Sequence, residues 1–77
     1  MSWHYAAGRS IGDDGDHEWR VYEVVDEGDG TATLWTERPV CPDGGTRLAL
    51  VDDLARMLKD VCYFPAIDTD AEEYTEL

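Results

Sequence analysis

The chain has little positive charge, and this limits what it can bind. It holds 6 lysine and arginine residues against 18 aspartate and glutamate residues, and Lys59 is the only lysine. The formal net charge of −12 would repel the phosphates of nucleic acids and anionic membrane headgroups, and it would attract basic protein surfaces. Direct binding to nucleic acid or to a membrane is therefore not expected.

Long apolar runs and cysteines are also scarce. No run of about 18 apolar residues occurs, which excludes a helical membrane span, and the first residues lack the apolar core of a secretory signal. We therefore expect a soluble protein in the cytoplasm, which would be the host-cell cytoplasm if a phage encodes the chain. In that reducing compartment Cys41 and Cys62 are predicted to be free thiols, with a disulfide between them as the alternative.

Motifs for catalysis and for metal binding are missing as well. Four carboxylates crowd residues 13–18, but their spacing lacks the alternate ligands and the central glycine of an EF-hand loop. The histidines lie thirteen positions apart and the cysteines twenty-one, so the paired spacing of a zinc site is absent. We expect neither an enzyme nor a bound cofactor or metal.

One stretch carries a strong helical pattern. Between Thr46 and Cys62 the apolar residues recur at three- and four-residue spacing, which places them on one face: Leu50, Leu54, Met57, Leu58 and Val61. Thr46 is suited to cap the first turn, and Pro65 disfavours a helical conformation at Phe64, so the helix should end near residue 62. Charged residues at four-residue steps are expected to form an exposed ladder: Asp52, Arg56 and Asp60.

Shorter stretches predict a small sheet. Alternating, β-branched and aromatic residues indicate strands over 2–7, 18–25 and 31–37. Glycines and carboxylates between them indicate an exposed loop over 8–17 and a hairpin turn over 26–30. Because the helix needs an apolar surface to cover, we expect an α+β fold, in which one amphipathic helix packs on one face of a three-stranded antiparallel β-meander (β-β-β-α).

The chain is predicted to form a single domain over residues 1–67, followed by an acidic tail over residues 68–77. In the tail, Thr69 and Glu72 have the spacing of a capping box, which would allow a short helical turn. Five large apolar residues are assigned to the core: Trp3, Trp19, Trp35, Leu54 and Leu58.

A longer pattern resembles a set of small acidic bacterial proteins of unknown function. The matching elements are Trp3-x-Tyr5, Val21-Tyr22-Glu23-Val24, Asp29-Gly30, Trp35-Thr36-Glu37-x-Pro39-Val40, Pro42-x-Gly44 and Asp53-Leu54-x-x-Met57-Leu58. The resemblance covers most of the chain and implies a β-β-β-α domain with no assigned activity. The acidic tail departs from this pattern, because those proteins end soon after the helix.

By size and charge alone, the chain is also similar to anti-CRISPR proteins that mimic DNA. Twelve carboxylates in the first loop, the hairpin and the tail are the predicted partner-binding residues: Asp13, Asp14, Asp16, Glu18, Asp26, Glu27, Asp29, Asp68, Asp70, Glu72, Glu73 and Glu76. Such carboxylates can take the place of DNA phosphates on a basic DNA-binding surface of a host defence protein. We therefore expect a non-enzymatic inhibitor, a monomer or weak dimer, with a CRISPR effector subunit as its suspected partner.

The alternative is a protein–protein adaptor or a housekeeping domain. Its acidity would then serve only solubility or adaptation to high salt.

Overall fold

The computed structural model describes residues 2–26 and 33–77. In these residues it contains one helix and a four-stranded sheet, with the element order β1 (Ser2–Ile11), β2 (His17–Asp26), β3 (Leu34–Trp35), α1 (Arg47–Tyr63) and β4 (Ile67–Asp68).

The sheet is mixed, with the strand order β3-β2-β1-β4. β1 and β2 are antiparallel and pair along their whole lengths, from Ser2 opposite Asp26 to Ile11 opposite His17. β3 is antiparallel to β2, whereas β4 runs parallel to β1 beside Gly8. The α+β class is therefore confirmed, but the predicted three-stranded meander is not, because the chain returns after α1 and adds a parallel strand to β1.

The strand bounds also differ from the predicted ones. The loop predicted over 8–17 is only a turn over 12–16, because Gly8 continues the strand instead of ending it. The strand predicted over 31–37 is reduced to β3 among the described residues, and the segment after it still follows β2, with Val40 N–H donating to Val21 O at 2.8 Å. The predicted hairpin turn over 26–30 lies almost wholly outside the described residues.

The predicted ends of the helix are confirmed. Thr46 Oγ1 accepts a hydrogen bond from Ala49 N–H at 3.1 Å, which satisfies one of the donors that a helix leaves free at its start. Phe64 has φ −86° and ψ 152°, so the backbone becomes extended directly before Pro65.

Carboxylates dock α1 on the edge of β1. β4 covers that edge only at Gly8 and Arg9, so the first half of β1 needs another partner. The backbone N–H of Tyr5 donates to Asp60 Oδ2 at 3.1 Å, and the Tyr5 hydroxyl donates to Asp53 Oδ1 at 2.6 Å. The hydrogen bond to the Asp53 carboxylate raises the pKa of Tyr5 to about 12, and the donating hydroxyl lowers the pKa of Asp53.

The prediction that Asp60 belongs to an exposed ladder is therefore wrong. Asp60 is 9% exposed, and its carboxylate lies 3.8 Å from Arg56 Nε while it holds the edge of β1. The Arg56 guanidinium in turn lies 3.9 Å from the centre of the Trp3 ring, a cation–π contact at the side of the helix.

The core lies on the opposite face of the sheet from Trp3. Ala6, Val24 and Ile67 are buried there, and Trp35 and Tyr74 pack against them. Trp35 is thus the only one of the predicted core residues that joins this cluster. The other four are exposed, namely Trp3 (42%), Trp19 (56%), Leu54 (47%) and Leu58 (68%).

The last ten residues fold back on β4, so the predicted acidic tail is not confirmed. Asp68 N–H donates to Thr75 O and Leu77 N–H donates to Ala66 O, both at 2.9 Å. The predicted helical turn is absent because Thr69 bonds elsewhere: its N–H and its hydroxyl both donate to Arg9 O, at 3.0 and 3.1 Å.

Gly8 occupies a position in β1 that has no room for a side chain. A Cβ atom there would lie 2.5 Å from Cε1 of Tyr22 and 2.7 Å from Cγ2 of Thr69. We predict that Gly8→Ala lowers the free energy of unfolding by about 1–3 kcal/mol, because the ring of Tyr22 and the backbone after β4 at Thr69 must both shift. Gly45→Ala is the matched control, because its Cβ would meet nothing within 4 Å. Urea denaturation measures both, and equal losses would contradict this packing.

His4 is held between the sheet and the segment after α1. Its ring stacks on Phe64 with centroids 3.7 Å apart, and its buried Nε2 has no hydrogen-bond partner in the described part of the chain. Burial lowers the pKa of His4, although the nearby Asp60 carboxylate opposes the shift. The folded protein therefore takes up a proton on this ring less readily than the unfolded chain.

This difference predicts a pH dependence. The contribution of neutral His4 to stability is complete above about pH 6.5 and is lost as the pH falls from there towards the lowered pKa of the folded state. We expect His4→Phe, which keeps the stack, to gain stability relative to the natural protein as the pH falls from 7.5 to 5.5, by at most about 1.4 kcal/mol per pH unit. Urea denaturation across this range measures the difference, and a constant difference would refute the assignment.

Candidate partner-binding surface

The turn between β1 and β2 displays most of the carboxylates of the first predicted cluster. Gly12 N–H donates to Asp16 O at 2.8 Å, and Gly15 turns the chain with φ +84°, a conformation that suits glycine. Asp14 Oδ1 accepts from Asp16 N–H at 3.0 Å. These bonds fix the turn, and the carboxylates of Asp13 and Asp16 remain without hydrogen bonds or ion pairs to other described residues.

Part of the predicted tail cluster meets this turn in space. Asp70 Oδ2 accepts a hydrogen bond from Ile11 N–H at 2.8 Å, directly at the end of β1. Asp68 lies opposite Arg9 in the β1–β4 pair, and its Oδ1 accepts from Asp70 N–H at 3.0 Å. We call the resulting surface the acidic end, composed of Asp13, Asp14, Asp16, Glu18, Asp68 and Asp70.

Two guanidinium groups lie near the acidic end. Arg20 Nη1 lies 2.8 Å from Glu18 Oε2, and this bond raises the pKa of Arg20. Arg9 lies opposite Trp19, two residues before β1 ends at the turn. The acidic end therefore keeps a clear excess of negative charge.

The remaining predicted residues lie elsewhere. Asp26 pairs with Ser2 at the opposite end of the long hairpin, about 30 Å from the turn for strands of this length. Glu27 and Asp29 lie outside the described residues. Glu72, Glu73 and Glu76 belong to the returning segment, where Glu76 bridges Ile67. The structure thus unites the first loop with Asp68 and Asp70, and it separates both from Asp26.

A second exposed surface lies on α1. The side of the helix opposite its docking carboxylates carries large apolar side chains, among them Leu48 (70% exposed) and Val51 (51% exposed). Cys62 is an exposed free thiol at the end of the same side, and Cys41 is likewise exposed and free. The apolar periodicity of α1 predicts that its leucines face inward, so it does not predict this orientation. The sequence does contain a signal for it, because Asp53, Met57 and Asp60 lie on one helical face at three- and four-residue spacing.

Other kinds of site find no support in the described residues. Within 2–26 and 33–77, no three histidine, cysteine, aspartate or glutamate side chains are grouped so that they could hold a metal ion. The described helix is also too short and too polar to cross a membrane.

No protein-family model, no curated protein and no solved structure matches this chain. The resemblance to small acidic bacterial proteins therefore stays a prediction, and the function has to be argued from the two exposed surfaces.

Proposed function

We propose that this protein is a non-enzymatic inhibitor that binds the basic, nucleic-acid-binding surface of a partner protein. The acidic end is the binding surface. The observation that supports the proposal is the meeting of carboxylates from two distant parts of the sequence, residues 13–18 and residues 68–70, at one end of the sheet.

The way these carboxylates are held also favours binding. The bonds from Ile11 N–H to Asp70 and from Asp16 N–H to Asp14 tie the turn and the chain after β4 to the ends of the strands. A fixed array of charges loses little conformational entropy when it meets its partner. Asp13 and Asp16, whose carboxylates have no described partner, are the residues that would accept hydrogen bonds from Lys and Arg of the other protein.

A nucleic-acid-binding surface is the kind of basic surface that such an array fits. DNA presents about one negative charge per 1.7 Å of its axis, so the grooves that receive it are lined with Lys and Arg. A small domain with a net charge of −12 is steered towards such a groove and excludes DNA from it. The size and the charge of the chain make a CRISPR effector subunit the first partner to test, as for anti-CRISPR proteins that mimic DNA.

The test compares two double variants with equal changes in charge. Asp13→Asn with Asp16→Asn removes two negative charges from the acidic end and leaves intact the structural hydrogen bonds that Asp14 and Asp70 accept. Glu37→Gln with Asp26→Asn removes the same charge away from the acidic end. A panel of purified CRISPR effector complexes is assayed for binding to labelled target DNA in the presence of each protein.

We expect the natural protein to displace the DNA from an effector, less so as the ionic strength rises. The acidic-end variant should bind more weakly, by about tenfold for each charge-assisted hydrogen bond that it no longer makes, and the control variant should be close to the natural protein. Equal inhibition by both variants would contradict the proposal.

A second candidate, a protein–protein adaptor, is favoured by Tyr63, which is 79% exposed at the end of α1 beside the half-buried Phe64. An adaptor that uses this aromatic pair would bind its partner with little dependence on salt. Salt dependence therefore separates the two functions.

A further inference from the structure

The outward side of α1 has the spacing of a helix–helix interface. Exposed residues recur at alternating three- and four-residue steps, which is the pattern of the a and d positions in a coiled coil. We call them the seam, and they are Leu48, Val51, Ala55, Leu58 and Cys62. The residues on the opposite side of the helix, Asp53 and Asp60, are those that bind Tyr5. Docking through these carboxylates therefore leaves the seam pointing away from the sheet.

The chain exposes more surface than a compact monomer of its mass. The chain has an accessible surface of 5651 Å², whereas a folded monomer of this mass exposes about 4,700 Å². Its radius of gyration is 13.3 Å, against about 11.5 Å for a compact domain of this length. The seam contributes to this surplus, because Leu48 and Leu58 are 70% and 68% exposed.

The charges on the helix indicate what covers it. α1 carries three basic residues, Arg47, Arg56 and Lys59, and three acidic ones, Asp52, Asp53 and Asp60, so it is neutral in a chain with a net charge of −12. Asp53 and Asp60 are turned towards the sheet. Two copies can thus approach through this helix with less repulsion than through the acidic end.

We propose that the protein forms a two-fold symmetric dimer in which the seams of two α1 helices pack antiparallel. Ala55 at the middle of the seam is small and allows the two backbones to come close. In this register Ala55 packs against Leu58 of the second copy. Asp52 and Lys59 lie on the same side of the seam, so Asp52 of each copy faces Lys59 of the other copy. A self-complementary pattern of this kind is what a symmetric interface requires.

The first experiment measures mass in solution by light scattering coupled to size-exclusion chromatography. The natural protein should have about twice the 8.7 kDa of one chain and dissociate on dilution. Leu58→Lys should be a monomer, and it should remain folded because Leu58 is already 68% exposed. Ile11→Lys, at a side chain that is 60% exposed on the sheet, is the matched control and should remain a dimer. If Leu58→Lys fails to fold, Val51→Lys serves in its place.

The second experiment tests the orientation by exchanging charges. Lys59→Asp alone should weaken the dimer by about tenfold, because it sets two aspartates against each other at both symmetric positions. Adding Asp52→Lys should restore the affinity. In a parallel pair, Asp52 would instead lie near Arg47 of the second copy, so the double variant would stay weak.

A monomeric natural protein, a mass unchanged by Leu58→Lys, or a double variant that stays weak would each overturn the proposal. The salt response keeps this result separate from the proposed inhibitory function. Salt should strengthen the dimer, because it screens the repulsion between two chains of net charge −12, whereas it should weaken binding through the acidic end.

Discussion

The hydrogen bond from the backbone N–H of Tyr5 to the carboxylate of Asp60 sets how the helix sits on the sheet. An uncovered strand edge offers unpaired N–H and C=O groups, and proteins must cover or protect it. β4 is too short to cover the first half of β1, and Asp60 supplies an acceptor there from the helix. Asp53 adds a second bond on the same helical side, through the Tyr5 hydroxyl.

The docking of α1 through its carboxylates has consequences for the whole surface. The rotation of α1 about its own axis is fixed with Asp53, Met57 and Asp60 inward, so the leucines that a hydrophobic pattern would place in the core face outward. The small core then forms on the other face of the sheet, where Ile67 and Tyr74 from the end of the chain take the place of the helix. The chain therefore carries apolar material on one surface and concentrated negative charge on another.

Local signals in the sequence were enough for some elements and not for others. The cap at Thr46 and the proline at position 65 fix the ends of α1, because both act within a few residues. The direction in which the helix faces depends on an acceptor for one backbone N–H in β1, which periodicity cannot reveal. Gly8 shows the same limit. The sequence predicts a loop that begins at this glycine because glycines and aspartates follow from Gly12 onwards, and only the ring of Tyr22 across the strand pair explains why a glycine is needed in the strand.

The acidic end could be predicted only in part. The cluster at residues 13–16 is visible in the sequence, but its union with Asp70 follows from the parallel pairing of β4 with β1, which joins residues about sixty positions apart. The separation of Asp26 follows from the full-length register of β1 and β2.

The account depends on the bond at Tyr5, and amide hydrogen exchange followed by NMR tests it most directly. The Tyr5 amide should exchange slowly in the natural protein, and Asp60→Ala should speed its exchange far more than that of the Val24 amide in the core. A Tyr5 amide that exchanges in the natural protein as fast as the amides of Asp13 and Asp14 in the exposed turn would contradict the docking of α1 on β1.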